Sequence, residues 1–152
     1  IIISEMYHLT SKGKRQARII TLQAIYAEEL KGSKLDDTCK FMMDTGNQPS
    51  EDIVNYVKHL SNLVFMHTPQ ADKLIKDRSK NWDFDRITII DKLILRMGVV
   101  EMIHIDEVPP KVSIAEGVEI AKQFSTEDSS SFINGILDSV YNEVILKKEK
   151  IL

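Results

Sequence analysis

The sequence predicts an all-α protein, a compact bundle of about seven helices. Apolar residues recur at helical spacing through most of the 152 residues, and helix start and stop residues separate the segments. The longest strand-like run, residues 87–90, lies inside a much longer helical pattern. With 43% apolar and 28% charged residues, the chain is too apolar for disorder and can bury a core without a metal or a disulfide.

The first predicted helix covers about residues 12–31 and ends at Gly32, a residue that often terminates helices. At the helical period its apolar side chains form two stripes, so we expect it to pack on two sides and to expose one polar edge. The stripes consist of Ile19, Leu22, Tyr26 and Leu30, and of Ile20, Ala24 and Ala27.

Three further helices complete the first half of the prediction. A short one lies near residues 35–43, and Ser50 can cap the next. Thr68-Pro69 is typical of an N-cap followed by proline at the first helical position, so a fourth helix is expected to start there and reach about Lys80. The apolar face of the third helix consists of Ile53, Val57, Leu60 and Val64.

The fifth predicted helix, about residues 86–105, follows a junction at residues 83–85. It is apolar nearly all round, so it should form the centre of the core. The Val108-Pro109-Pro110 segment ends the fifth helix and precedes the sixth, because proline cannot continue a helix.

The last two predicted helices carry one clear apolar face each. Ser113 with Glu116 three residues later resembles a capping box for the sixth helix, and residues 125–128 open the seventh. Their inner faces consist of Ile114, Val118 and Ala121, and of Ile133, Ile136, Val140 and Val144.

A cluster of cations marks the start of the first helix. The net charge is −3, yet residues 6–27 contain no Asp or Glu, whereas Lys12, Lys14, Arg15 and Arg18 fall within seven residues. A solvated helix start would also explain this cluster. Because cations at a helix N-terminus oppose the helix dipole, at a cost of about a few tenths of a kcal/mol each, the cluster indicates an anionic partner.

No set of residues forms a recognisable catalytic site. The four histidines form no HExxH pair, one cysteine cannot complete a zinc site, and no P-loop, GxGxxG or GxSxG motif occurs. Asp83 and Asp85 precede a helix, where acids normally serve as caps. We therefore expect a non-enzymatic protein without catalytic residues, metal or cofactor.

The sequence contains no predicted export or membrane segment. Cys39 is the single cysteine, which fits a reducing compartment. No apolar run approaches the roughly 20 residues of a membrane-spanning helix, and residues 1–3 are too few for a signal-peptide core. We expect a cytoplasmic protein.

Phe132 is the candidate for base recognition. It lies at the margin of the apolar stripe of the last helix, directly after three serines. An aromatic residue in this position is usually the edge of the core. The alternative is a half-exposed platform for a single-stranded base, and the pattern alone leaves both interpretations open.

Several segments in order resemble the NusB family. The family patterns RRxARExALQALY, IDRAILR, VPxKVAINEA, ELAKxF and FVNGVLD have counterparts spread over about residues 12–141, with Glu101 at the place of the family's YEL glutamate. The counterparts are RQAR at 15–18, LQAIY at 22–26, IDKLILR at 90–96, VPPKVSIAE at 108–116, EIAKQF at 119–124 and FINGILD at 132–138.

This resemblance implies a fold of two packed helical subdomains and a role in transcription antitermination. Proteins of this family bind the boxA element of nascent ribosomal RNA transcripts jointly with the ribosomal protein NusE. The pair then helps RNA polymerase to read through terminators. The family includes monomers and homodimers, and the sequence does not decide between them.

The resemblance also implies roles for individual residues. Lys14, Arg15 and Arg18 take the places of the family's arginine-rich segment, and Lys12 is added because it adjoins them. The implied RNA-binding residues are Lys12, Lys14, Arg15, Arg18, Tyr26 and Phe132. Asp91 and Asp128 match acidic positions near the NusE and RNA surface. A basic ribosomal protein would be attracted to these carboxylates, which would steer it and set its register.

The implied organisation has three parts. Residues 1–11 are an N-terminal extension, expected to be disordered or to originate from the expression vector. Residues 12–146 form the RNA-binding helical domain, and residues 147–152 are a basic tail.

The sequence departs from the family pattern at four places. Gln16 and Ser131 stand where basic residues are common, and Pro110 replaces a frequent aromatic residue. Gly117 lies inside a helix where alanine is usual, at a cost of about 1 kcal/mol. Fewer cations predict weaker RNA binding alone and a greater dependence on NusE.

Two alternatives remain at the level of the sequence. NusB-like helical domains also precede the catalytic domain of ribosomal RNA cytosine methyltransferases, so the chain could be such a domain. It could also be a helical adaptor without RNA affinity, in which the cationic cluster is inert.

Overall fold

The computed structural model describes residues 9–31, 49–79 and 83–147. Five α-helices lie in these ranges: α1 Ser11–Lys31, α2 Glu51–Arg78, α3 Ile89–His104, α4 Pro110–Phe124 and α5 Glu127–Val140. A 3₁₀ turn, Phe84–Arg86, precedes α3, and a π-helical turn, Tyr141–Ile145, follows α5. These ranges contain no strand, which confirms the all-α prediction. None of the described helices has both the length and the apolar character needed to cross a membrane.

The number of helices is smaller than predicted because two predicted helices form one. The predicted helix at residues 35–43 lies outside the described residues. The predicted third and fourth helices form the single helix α2, which bends at His67 (φ −110°, ψ 16°). Two helical segments meet at this kink, so the predicted break before Thr68-Pro69 is confirmed. The predicted cap is wrong, because Thr68 Oγ1 donates back to the carbonyl oxygen of Val64 at 2.6 Å.

The chain divides into two compact units, with the boundary between Leu63 and Val64. In the first unit α1 begins with a cap at Thr10, whose Oγ1 accepts from the backbone N–H of Gly13 at 3.0 Å. The predicted cap of α2 is confirmed, since Ser50 Oγ accepts from the N–H of Ile53 at 3.3 Å. Buried apolar side chains of this unit include Ala17, Leu22, Ala24, Ile25, Ile53, Val57 and Leu60. Leu30, predicted to belong to an apolar stripe, is 55% exposed.

The second unit is built around α3. This helix packs against α4 and α5, which also pack against each other. Most of its residues are buried, as the nearly uniform apolar pattern predicts. Two glycines permit the close approach of the three helices: a Cβ at Gly98 or at Gly117 would lie 3.0 Å from a methyl group of Leu137.

Helix α4 begins earlier than predicted. Pro109 is its N-cap and Pro110 its first residue, which is a favourable position for proline. Ser113 therefore lies inside the helix, where its Oγ donates to Oε1 of the buried Glu101 at 2.7 Å. The predicted capping box is wrong because this serine serves a contact between α3 and α4 instead.

Candidate nucleic-acid interface

A cleft of about 220 Å³ lies between the region that leads into α3 and the first turns of α5. It is lined by Arg86, Ile87, Thr88, Asp91, Asp128, Ser129 and Phe132. Three of these residues, Asp91, Asp128 and Phe132, were singled out from the sequence. The structure thus brings together the predicted stacking residue and the two predicted acids of the partner surface.

One wall of the cleft is a short, locally capped turn. The side chain of Asp83 accepts from the backbone N–H of Asp85 at 3.2 Å and so starts the 3₁₀ turn. The chain then leaves the turn at the buried Ile87, and Thr88 caps α3 by accepting from the N–H of Asp91 at 3.3 Å. These local bonds place Arg86 on the exposed side of the turn, at the cleft.

Asp91 joins this wall to the opposite one. Its side chain is buried, and its Oδ1 accepts a hydrogen bond of 2.8 Å from Ser125 Oγ. Ser125 directly precedes Thr126, the N-cap of α5. Asp91 therefore fixes the position at which α5 begins. A contact of Asp91 with a partner protein stays a prediction.

The opposite wall is the first turns of α5. Thr126 Oγ1 accepts from the backbone N–H of Ser129 at 3.0 Å, which orients the helix start. Asp128 and Phe132 are four residues apart, so they lie on one face of the helix. Asp128 is exposed and Phe132 is half-buried. Phe132 lines the cleft, and its role as a platform for a base stays a prediction.

The predicted cationic residues lie on α1, in the first unit. Lys12 and Arg15 are exposed, and Lys14 is half-buried. Arg18, in contrast, is only 3% exposed, so its guanidinium adds little to the charge at the surface. The roles of these residues in RNA binding stay predictions.

Tyr26, the sixth predicted RNA-binding residue, also lies on α1, two turns after Arg18. It is half-buried. A half-buried tyrosine can present its ring edge or hydroxyl to a ligand while its remaining surface packs against the protein. Its contact with RNA stays a prediction as well.

Four residues of the cleft were not predicted from the sequence: Arg86, Ile87, Thr88 and Ser129. Arg86 was expected inside the fifth helix, whereas α3 starts at Ile89, three residues after Arg86. Thr88 followed three residues later by Asp91 is a helix-start signal that could have shown this. With the helix start at Thr88, Arg86 would have been recognised as a turn residue.

Comparison with known proteins relates this arrangement to a family. The model of the NusB family matches residues 15–142, a range that includes the whole cleft. The transcription antitermination protein NusB of Chloroherpeton thalassium is 39% identical over 131 residues, which cover 86% of this chain and 62% of that protein. The chain thus spans under two thirds of the length of that relative. The NusB of Dehalococcoides mccartyi is also 39% identical, over 84% of this chain and 88% of that protein.

A similar fold occurs in a solved complex. A crystal structure of the antitermination factors NusB and NusE in complex with double-stranded RNA contains a chain that matches with a TM-score of 0.75. The match has 24% sequence identity and covers 86% of this chain and 97% of that chain.

Proposed function

Because the chain belongs to the NusB family, we propose that it is a transcription antitermination factor that binds boxA-type single-stranded RNA together with NusE. It acts in the cytoplasm, in the RNA polymerase complexes that transcribe ribosomal RNA. Its activity is binding, without catalysis.

The observation that carries this proposal is the cleft at Phe132. A base can stack on an exposed aromatic face, and stacking is tolerant of sequence because every base has a π-face. The cleft, at about 220 Å³, is smaller than the pockets of about 300–1,000 Å³ that hold drug-sized ligands. It therefore suits one base better than a larger ligand. Thr88 and Ser129 add hydroxyl groups that can bond to the edges of that base.

The cations of α1 support contact with the phosphate backbone. Lys12 and Arg15 are exposed on a helix whose first turn contains no acid. Phosphate contacts provide most of the sequence-independent affinity for nucleic acids. Stacking in the cleft and charge on α1 would then act as two separate contributions to the same binding event.

The acid Asp128 supports the role of NusE. This exposed carboxylate lies beside the cleft and would repel RNA phosphates. A basic ribosomal protein that docks next to the cleft would neutralise the carboxylate and favour the bound RNA. A partner that binds here would therefore raise the affinity for RNA.

Removal of the ring of Phe132 tests this proposal. We expect Phe132→Leu to raise the Kd for fluorescent boxA-type RNA in the presence of NusE by about 5- to 150-fold, because base–aromatic stacking contributes about 1–3 kcal/mol. Fluorescence anisotropy at fixed salt measures this change. Arg15→Glu should weaken binding in the same assay, most strongly at low salt.

The matched control is Phe65→Leu, since Phe65 is an aromatic residue on α2 that is 73% exposed and lies outside the cleft. Its Kd should equal that of the unchanged protein. If the unchanged protein does not bind the RNA with or without NusE, the protein is an adaptor and the proposed function is wrong. Equal effects of the two leucine variants would place the RNA site elsewhere.

A further inference from the structure

A second group of cations lies in the same unit as Phe132, around the 3₁₀ turn that contributes to the cleft. The ring of Phe84, in the 3₁₀ turn, is approached by two ammonium groups. Lys76 Nζ of α2 lies 4.8 Å from the ring centroid, and Lys92 Nζ of α3 lies 4.5 Å from it. Arg86 follows two residues later in the same turn and lines the cleft. We name Lys76, Phe84, Arg86 and Lys92 the Phe84 basic surface.

These cations differ from their neighbours in having no acidic partner. On α2, Arg78 pairs with Glu143 at 2.9 Å, and on α3, Arg96 binds Asp72 at 2.7 and 3.0 Å. Lys76, Lys92 and Arg86 form no ion pair with any residue that the structure describes. The fold thus neutralises the nearby arginines internally and leaves three other positive charges around the 3₁₀ turn without a described acidic partner.

Stability alone does not account for two lysines on one ring. A single cation–π contact at an exposed site contributes about 0.5–1 kcal/mol. A second ammonium at the same ring adds repulsion between like charges. Elsewhere in the second unit, one lysine contacts one ring: Lys111 Nζ lies 5.9 Å from the centroid of the Tyr141 ring. An anion bound between Lys76 and Lys92 would relieve their repulsion.

The acids nearest in sequence are not placed to supply that anion. Asp83 is used as the cap of the 3₁₀ turn, and Asp91 is buried and accepts from Ser125. Asp85 is exposed and forms no ion pair with a described residue. Within the described residues, these lysines therefore have no carboxylate partner, and an anion from a ligand could take that place.

We propose that the Phe84 basic surface binds the phosphate backbone of the RNA strand whose base occupies the cleft. This inference rests on the proposed function and adds a second phosphate site to the one expected on α1. The ring of Phe84 holds both lysines at the 3₁₀ turn. Arg86 of the same turn lines the cleft, and its planar guanidinium can bind a phosphate through two hydrogen bonds.

The test is the salt dependence of RNA binding by the full chain with NusE. Each phosphate contact with a single strand contributes about 0.7 to the slope of log K against log salt. We expect the double variant Lys76→Gln and Lys92→Gln to lower the slope by about 1.4, and Arg86→Gln to lower it by about 0.7. The charge-preserving pair Lys76→Arg and Lys92→Arg should keep the slope of the unchanged protein.

Two controls separate charge from other effects. Lys111→Gln removes a lysine that lies at the ring of Tyr141 instead of the ring of Phe84, and it should leave the slope unchanged. Phe132→Leu should raise the Kd and leave the slope unchanged, because stacking releases no counterions. Thermal melting of each variant checks that it is folded, and Arg86→Gln provides an independent result if the double variant unfolds.

The outcomes distinguish this inference from the proposed function. If the unchanged protein does not bind RNA with NusE, both fail. If it binds and loses affinity with Phe132→Leu, but the glutamine variants keep its slope, only the Phe84 basic surface is wrong. A lower slope in the glutamine variants, with recovery in the arginine pair, supports the second phosphate site.

Discussion

Leu137 occupies a space that two glycines leave open. A Cβ at Gly98 of α3 would lie 3.0 and 3.1 Å from the two methyl groups of Leu137, and one at Gly117 of α4 would lie 3.0 Å from a single methyl group. Leu137 is fully buried, so it has little room to move aside. The glycine at 117, which costs about 1 kcal/mol in helix propensity, is therefore explained by packing.

Substitution of either glycine by alanine should reduce stability, and the effect should be larger at Gly98 than at Gly117. We expect Gly98→Ala to destabilise the protein by up to about 2 kcal/mol net, since overpacking costs about 1–3 kcal/mol and alanine restores about 1 kcal/mol of helix propensity. Gly117→Ala, with one close contact instead of two, should be less destabilising. Urea unfolding followed by circular dichroism measures both values.

The double substitution Gly98→Ala with Leu137→Val serves as the control. The smaller side chain should cost less in the Gly98→Ala background than in the unchanged protein, so the double variant should be destabilised by less than the sum of the two single variants. An unfolding midpoint that rises with Gly98→Ala would show that the space beside Leu137 is not tight.

Single residues of the site were predictable from the sequence only where the helical period or a family motif identified them. The position of Phe132 at the edge of an apolar stripe is a consequence of helical period, and it correctly indicated a half-buried ring. The burial of Arg18 was not predictable from the charge pattern, because charge alone does not show which cation of a helix faces its packed side. The lysines at Phe84 come from two different helices, so no local pattern joins them.

At the scale of the helices, hydroxyl residues explain most of the errors. Ser50 caps a helix as predicted, whereas Thr68 bonds back to Val64 within its own helix and Ser113 bonds to Glu101 of another helix. A serine or threonine before an apolar run is compatible with all three arrangements. The existence and type of the helices followed from apolar periodicity, but their start points depended on which hydrogen bond each hydroxyl group forms.

The bond between Ser125 and Asp91 links the starts of two helices, and its loss should affect both. We expect Ser125→Ala to lower the free energy of unfolding by about 1–3 kcal/mol, because the buried carboxylate then loses a hydrogen-bond donor. RNA affinity with NusE should also fall, since the walls of the cleft are no longer held together. Chemical denaturation and anisotropy measure these two effects.

Ser139→Ala is the matched control, because this serine of α5 forms only a long hydrogen bond of 3.5 Å with the exposed Glu143. Its stability and RNA affinity should stay close to those of the unchanged protein. Equal stability of the two alanine variants would mean that the contact with Asp91 contributes nothing to the cleft.

At the scale of the whole molecule, the net charge of −3 conceals an uneven distribution. Cations lie on α1 and on the Phe84 basic surface, while Asp128 carries negative charge at the cleft. Such a molecule attracts RNA at some points and repels it at another. A basic partner at Asp128 would remove the repulsion, which is the physical reason to expect cooperation with NusE.

This cooperation should be reciprocal. We expect NusE to raise the affinity for boxA-type RNA by about 5- to 150-fold, and the RNA to raise the affinity for NusE by the same factor, because coupling free energies are symmetric. Anisotropy with labelled RNA and calorimetry with NusE give the two factors independently. Affinity for RNA that is unchanged by NusE would contradict the proposed role of the acidic residues.

The hydrogen bond that joins Asp91 to Ser125 also affects the thermodynamics of recognition. The first turn of a helix is where the backbone frays most easily, and the cleft is made largely of two such turns. With both turns already fixed, the loss of conformational entropy occurs when the chain folds and not when RNA arrives. Binding of the base should therefore be accompanied by a heat-capacity change that reflects the apolar surface buried by one ring, without the larger change that accompanies folding of a disordered segment.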